Sequence, residues 1–246
     1  MNLKLGFLSI LFLLFFSCDQ EEKVKTLFEL QENTGVQFAN TLVETENLNP
    51  YTYKNFYNGG GVALGDINND GLLDIYFSGN LVENQLYLNK GDWKFENITK
   101  KAGVLSTDNW SSGVTFVDIN SDGLLDIYVC QAGPPRDNNR HNQLFINNGN
   151  LTFSEQSKKY GLDITGLGVQ ANFFDYDKDG DLDCYLLNNS IRSVGNYDLI
   201  KDQRDKATEK GNKLLRNDNN IFVDVTKEAH IYSSAIGFGL GITISD

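Results

Sequence analysis

The chain holds 246 residues, enough for one large domain or two small ones. Its 33 Asp and Glu against 21 Lys and Arg give a formal net charge of −12. That excludes a binder that tracks nucleic-acid phosphates, which needs clustered basic side chains. Twenty-three glycines point to many short turns rather than long helices.

The first 17 residues read as a signal peptide. Lys4 is the positive start, and Leu5 to Phe16 is an apolar run too short for a membrane span of about 20 residues. Ser17 then places a small residue before Cys18, which resembles a bacterial lipoprotein signal whose cysteine is acylated. An ordinary secretory signal with an incidental cysteine is the alternative. Residues 18–26 read as a polar tether and 27–246 as the folded repeat region. The chain is thus expected to cross the inner membrane and to be lipid-anchored at Cys18 in the bacterial envelope, at the outer membrane or cell surface.

Three copies of one unit follow in order. Gly61–Phe77 matches Gly113–Val129 and Val169–Tyr185. A second element recurs at Asn84–Asn89, Asn142–Asn147 and Asn212–Asn217, and a third at Phe95–Gly103, Phe153–Gly161 and Phe222–His230. The β-branched and aromatic alternation predicts four strands per unit, in the first copy Val62–Gly65, Asp74–Ser78, Gln85–Leu88 and Phe95–Thr99. Asn148-Gly149 is a tight-hairpin signal. The fold class is therefore all-β, with four-stranded units as blades of a β-propeller. Leu27–Gly35 has the spacing of a fourth strand without its blade, and Ile236–Asp246 that of a first strand. The expectation is three complete blades plus edge strands, an amino-terminal part of a longer protein. Cys130 and Cys184 sit at different repeat offsets, on opposite strand faces, and are expected to be unpaired, buried thiols.

Strands one and two of each unit are joined by the pattern Asp-x-Asp/Asn-x-Asp-Gly-x-x-Asp. In the first loop Asp66, Asn68 and Asp70 alternate along a turn, Gly71 admits a left-handed backbone, the Leu72 carbonyl adds an oxygen, and Asp74 closes the set. The second loop offers Asp118, Asn120, Asp122, the Leu124 carbonyl and Asp126. The third offers Asp175, Asp177, Asp179, the Asp181 carbonyl and Asp183. Hard oxygen donors in this number suit Ca²⁺, so three Ca²⁺ sites are expected. Three bound ions would halve the net charge. An EF-hand is excluded because its closing Glu would fall on Phe77, Val129 and Leu186, and each loop runs into a strand.

Ala63–Asp74 resembles the FG-GAP/VCBS-type repeat also found in integrin α-chain propellers. Tyr57–Asp66, Gln85–Gly91 and Phe95–Thr99 together resemble bacterial proteins related to cartilage acidic protein, which often end in an ASPIC/UnbV domain. The resemblance implies a calcium-stabilised propeller, seven-bladed when complete, used for adhesion or ligand binding.

Up-and-down strand order puts the aspartate loops at one end of the blades and the long segments Val36–Gly60, Gln131–His141 and Ser190–Gly211 at the other. Loops on a rigid scaffold commonly carry binding, so a protein or glycan partner is expected there, with Arg192, Tyr197 and Arg204 as candidates. Neutral loop growth is the bland alternative. His141 and His230 have no recognisable nucleophile or zinc-ligand partner, and His230 stands at the repeat glycine's place. The reading is a non-enzymatic binding protein. The alternatives are the propeller part of a polysaccharide-active enzyme such as a lyase, and a structural module of an envelope assembly.

Overall fold

The computed structural model describes residues 26–106, 109–133, 140–189, 211–234, 236–237 and 239–245. The signal peptide, Cys18, and Arg192, Tyr197 and Arg204 lie outside the described residues. No described helix is long and apolar enough to cross a membrane. The chain divides into two units, Met1–Glu32 and Asn33–Asp246. In the first, residues 26–32 form neither helix nor strand.

The second unit is built of three four-stranded antiparallel sheets, each with its strands in sequential order. Blade one is β1 (Val62–Gly65), β2 (Asp74–Phe77), β3 (Gln85–Asn89) and β4 (Phe95–Asn97). Blade two is β5 (Ser111–Val117), β6 (Asp126–Gln131), β7 (Gln143–Asn147) and β8 (Phe153–Glu155). Blade three is β9 (Gly168–Phe174), β10 (Asp183–Asn188), β11 (Lys213–Asn217) and β12 (Phe222–Asp224). No sheet closes on itself, and the arrangement is that of part of a β-propeller.

The fourth strands are shorter than predicted. Each of the first two gives way to one helical turn, α1 (Thr99–Ala102) and α2 (Ser157–Tyr160). Both turns end on a left-handed glycine, Gly103 and Gly161, at φ 75° and 72°. His230 takes the same conformation at φ 55°, which fits its place as a turn residue. The Asn148-Gly149 hairpin is also looser than a two-residue turn. Five residues separate β7 from β8, closed by Asn148 N–H donating to the Thr152 carbonyl at 2.9 Å.

The two expected edge strands do not form among the described residues. Leu27–Gly35 and residues 236–245 carry no strand assignment. Spacing sets which residues could form a strand, but a ladder needs a partner, and the third strands β3, β7 and β11 already pair with β4, β8 and β12. The repeat phase nonetheless survives at Gly35. A Cβ there would lie 2.4 Å from the Phe95 carbonyl oxygen, as Cβ atoms at Gly103 and Gly161 would approach Phe153 and Phe222. His141 forms an isolated bridge with Thr165 ahead of β7.

The core lies between blades. Alternate residues of a strand face opposite sides. Hence Ile127 and Val129 of β6 join Tyr76, Leu86 and Leu88 of blade one, while Tyr128 and Cys130 join Cys184, Leu186 and Leu215 of blade three. Covered on both faces, β6 is buried at all six positions, so its period-two exposure pattern vanishes. Tyr76 and Tyr128 are fully buried, each a contribution of roughly 1.5–3 kcal/mol. The Tyr128 hydroxyl donates to the Leu162 carbonyl at 3.0 Å, which removes the cost of an orphaned hydroxyl. Cys130 and Cys184 are free and buried, as expected. Opposite faces of neighbouring blades meet, so the two thiols share one apolar cluster. Burial pushes both thiols up and keeps them uncharged.

The first strands converge, with β5 packed against both β1 and β9. Small residues make this possible. A Cβ on Gly113 would sit 2.2 Å from the Val169 carbonyl oxygen, and one on Gly61 would sit 2.6 Å from that of Ser112. Ser112 Oγ donates to the Gly168 carbonyl at 2.6 Å and Thr115 Oγ1 to that of Ala171 at 2.7 Å, joining blade two to blade three.

Gly113→Ala is therefore expected to destabilise the fold by about 1–3 kcal/mol in urea unfolding. Gly241→Ala, where a Cβ meets nothing within 4 Å, should leave the midpoint unchanged. Equal midpoints for both variants would refute the close approach of the first strands.

Candidate functional site

Each aspartate loop fills the gap between strand one and strand two of its blade: residues 66–73 between β1 and β2, 118–125 between β5 and β6, and 175–182 between β9 and β10. The opening Asp is the residue after strand one, and the closing Asp is the first of strand two. The structure thus brings the expected ligands of each loop into one turn.

The turns are alike in detail. Gly71, Gly123 and Gly180 have φ 85°, 84° and 100°, and a Cβ on any of them would meet nothing within 4 Å. These glycines serve the backbone angle, not space. Two residues earlier Asn69, Ser121 and Lys178 are also left-handed, at φ 58°, 58° and 65°. The opening carboxylates hold the turn together. Asp66 Oδ2 accepts from Gly71 N–H at 2.7 Å, Asp118 Oδ2 from Gly123 N–H at 2.9 Å, and Asp175 Oδ2 from Gly180 N–H at 3.1 Å. The fifth residues do the same one step on. Asp70, Asp122 and Asp179 accept from the N–H of Leu72, Leu124 and Asp181 at 2.9, 2.9 and 3.1 Å. In the first two loops the third-position amides point at their neighbours: Asn68 Nδ2 donates to Asp70 at 3.0 Å and Asn120 Nδ2 to Asp122 at 2.8 Å.

The closing carboxylates Asp74, Asp126 and Asp183 are fully buried. Each is held by two backbone donors. Asp74 accepts from Ile67 and Asn89 at 3.0 and 2.7 Å. Asp126 accepts from Ile119 and Asn147 at 3.2 and 2.7 Å, and Asp183 from Tyr176 and Asn217 at 2.9 and 2.9 Å. None takes part in an ion pair among the described residues.

Asn89, Asn147 and Asn217 were not singled out as site residues from sequence, although their recurrence in the second repeat element marked them. Their side chains donate to the Leu73, Leu125 and Leu182 carbonyls at 2.9, 3.1 and 3.2 Å. Asn147 also reaches Ile67 of blade one at 2.8 Å, and Asn69 reaches Gly123 at 3.0 Å. The first two loops are therefore tied to each other.

A hard cation fits these donors. In the third loop one oxygen each of Asp175, Asp177 and Asp183 lie within 4.8 Å of one another. Among the described residues no other three carboxylate, His or Cys side chains meet so closely. The first two loops carry Asn68 and Asn120 at the place of Asp177. The Asp181 carboxylate has one buried oxygen without a hydrogen-bond partner, so the third loop has a side-chain oxygen beyond the expected carbonyl. Burial pushes the Asp126 carboxyl up to about 6; its two N–H donors oppose that, and Asp122 and Asp118 reinforce it. Asp74 and Asp183 are raised by the same burial.

A raised carboxyl is easier to ionise in the unfolded chain than in the folded one. Below pH 3.8 Asp126 is protonated in both states, and above about 6 the folded state bears the full cost. Urea midpoints of metal-stripped protein should therefore fall as pH rises through this window. A midpoint that rose with pH there would contradict the assignment of Asp126 as an uncompensated buried carboxylate.

Two comparisons bear on the family. The model for the FG-GAP-like repeat matches residues 66–129, which hold the first loop, the rest of blade one and the second loop up to Val129 of β6. The chain is also 31% identical over 172 residues to cartilage acidic protein 1 of Xenopus tropicalis. That match covers 68% of this chain, and the chain spans about a quarter of that relative's length, 25%. Repeated blades, recurring aspartate loops and both similarities agree: the chain is an FG-GAP repeat protein.

Proposed function

We propose that the chain is a calcium-binding propeller module in which Ca²⁺ is structural and the opposite end of the blades meets a protein or glycan partner. One observation carries the calcium part. Three fully buried carboxylates, Asp74, Asp126 and Asp183, close three equivalent oxygen-rich loops, and among the described residues no cationic side chain is paired to them. A divalent ion would supply the missing charge. Asp66, Asn68, Asp70, the Leu72 carbonyl and Asp74 would hold the first ion. Asp118, Asn120, Asp122, the Leu124 carbonyl and Asp126 would hold the second, and Asp175, Asp177, Asp179, the Asp181 carbonyl and Asp183 the third. Ca²⁺ is favoured over Mg²⁺, which demands a compact octahedron and keeps its waters.

The partner part follows from placement. Its support is the strand order, which assigns the long strand-two-to-three and blade-to-blade connections to the end away from the carboxylate loops, and loops on a rigid scaffold commonly carry binding. Anchorage at an acylated Cys18 would present the module on the bacterial envelope. A polysaccharide-active enzyme remains the second reading, because a propeller cleft can host catalysis in a longer protein.

The test is thermal unfolding of the mature chain in Ca²⁺, in EGTA and in Mg²⁺. Saturating Ca²⁺ should raise the midpoint by roughly 5 °C or more, with Mg²⁺ well behind. An unchanged midpoint in folded protein would reduce the aspartate loops to ordinary turns. Alanine at Arg192, Tyr197 and Arg204 should weaken partner capture; undiminished capture would remove the opposite end from the partner reading.

A further inference from the structure

A cleft of about 520 Å³ opens where β1, β5 and β9 begin, at the end of these strands remote from the aspartate loops. Its size lies within the range of ligand pockets. Tyr53 and Trp110 line it, packed edge to face with ring centroids 5.1 Å apart. Asn55, Asn58, Gln170 and Asn189 are among its lining residues and bring carboxamide side chains to it. No Asp, Glu, Lys, Arg or His is among the described lining residues, in a chain of net charge −12.

Asn189 provides the second observation. It is 5% exposed, its Nδ2 donates to the Gly239 carbonyl at 3.2 Å, and its Oδ1 has no donor among the described residues. A buried acceptor left this way is unfavourable, because it has lost its water without gaining a partner. The oxygen is screened from solvent by its surroundings. A ligand seated in the cleft could supply its donor by displacing the Gly239 segment, which carries no strand ladder.

We infer that this cleft binds an uncharged carbohydrate, a deepening of the partner reading above. The lack of a charged side chain among the described lining residues disfavours phosphates, uronic acids and acidic peptides, whose ionic groups would be desolvated without a counter-charge there. Carboxamides pair a donor with an acceptor, which matches sugar hydroxyls that are both at once. Tyr53 and Trp110, only 5% and 3% exposed, are core residues under the cleft, so recognition rests on the carboxamides rather than on ring stacking. A peptide bound by strand addition fits less well. The inner edges approach within a glycine's clearance, with a Cβ on Gly61 only 2.6 Å from the Ser112 carbonyl oxygen, and leave no slot for another strand.

The chain's two tryptophans allow a direct readout. Trp93 lies exposed in the β3–β4 hairpin, so Trp93→Phe leaves Trp110 as sole reporter. Chitotetraose and cellotetraose are titrated against this protein in Ca²⁺, with tetragalacturonate and a neutral tetrapeptide as counter-probes. A saturable change in Trp110 emission is expected with at least one neutral sugar and with neither counter-probe. Asn58→Ala, at an exposed position, and Asn189→Asp should each weaken that binding by at least about ten-fold. Silence with both sugars, binding of a counter-probe instead, or unchanged sugar affinity in Asn58→Ala would overturn the inference. Sugar binding with undiminished partner capture after the Arg192, Tyr197 and Arg204 substitutions would sink the wider partner reading alone. Lost capture without sugar binding would sink this inference alone.

Discussion

The closing aspartate of each loop is the contact on which the rest of the blade depends. Asp126 is the first residue of β6, yet its two oxygens take N–H donors from the loop at Ile119 and from the end of β7 at Asn147. One side chain therefore fixes the turn after strand one, the start of strand two and the end of strand three. Asp74 and Asp183 do the same in their blades. The arrangement satisfies backbone donors that would otherwise be orphaned under the loops. It also places a buried negative charge that no basic side chain among the described residues pairs with, and a cation at the loops would offset it.

Stacking of blades supplies the remaining order. A single four-stranded sheet exposes two apolar faces, and only a neighbouring blade covers them. Blade two shows the completed state, with β6 buried throughout, while in blade one Val62 and Leu64 remain exposed on the face away from β5. Close approach at the first strands rests on Gly61 and Gly113, and hydroxyls of Ser112 and Thr115 stitch carbonyls across the gap. Stability is thereby distributed as neighbour-to-neighbour terms, as in other repeat architectures.

Repetition made most of this legible from sequence. The starts of β2, β6 and β10 could be read because an aspartate loop must hand over to a strand at a fixed residue. β6 is buried at all six positions, so its β-branched and aromatic residues and its alignment with Asp74–Phe77 marked the strand but not its double burial. Leu27–Gly35 was misread for the converse reason: periodicity describes one segment, whereas a ladder requires two. The meeting of Cys130 with Cys184 in one cluster needed knowledge of how successive blades face each other. The cleft was invisible beforehand, since Tyr53, Trp110, Gln170 and Asn189 come from four separate stretches and join only where the first strands converge.

The central claim is that the three aspartate loops are equivalent calcium sites. The most direct measurement is the number of Ca²⁺ ions retained per chain in equilibrium dialysis of metal-stripped mature protein. The account predicts three, falling to two when the carboxylates of one loop are replaced by alanine in a variant that still folds. Retention of none by folded protein would contradict it.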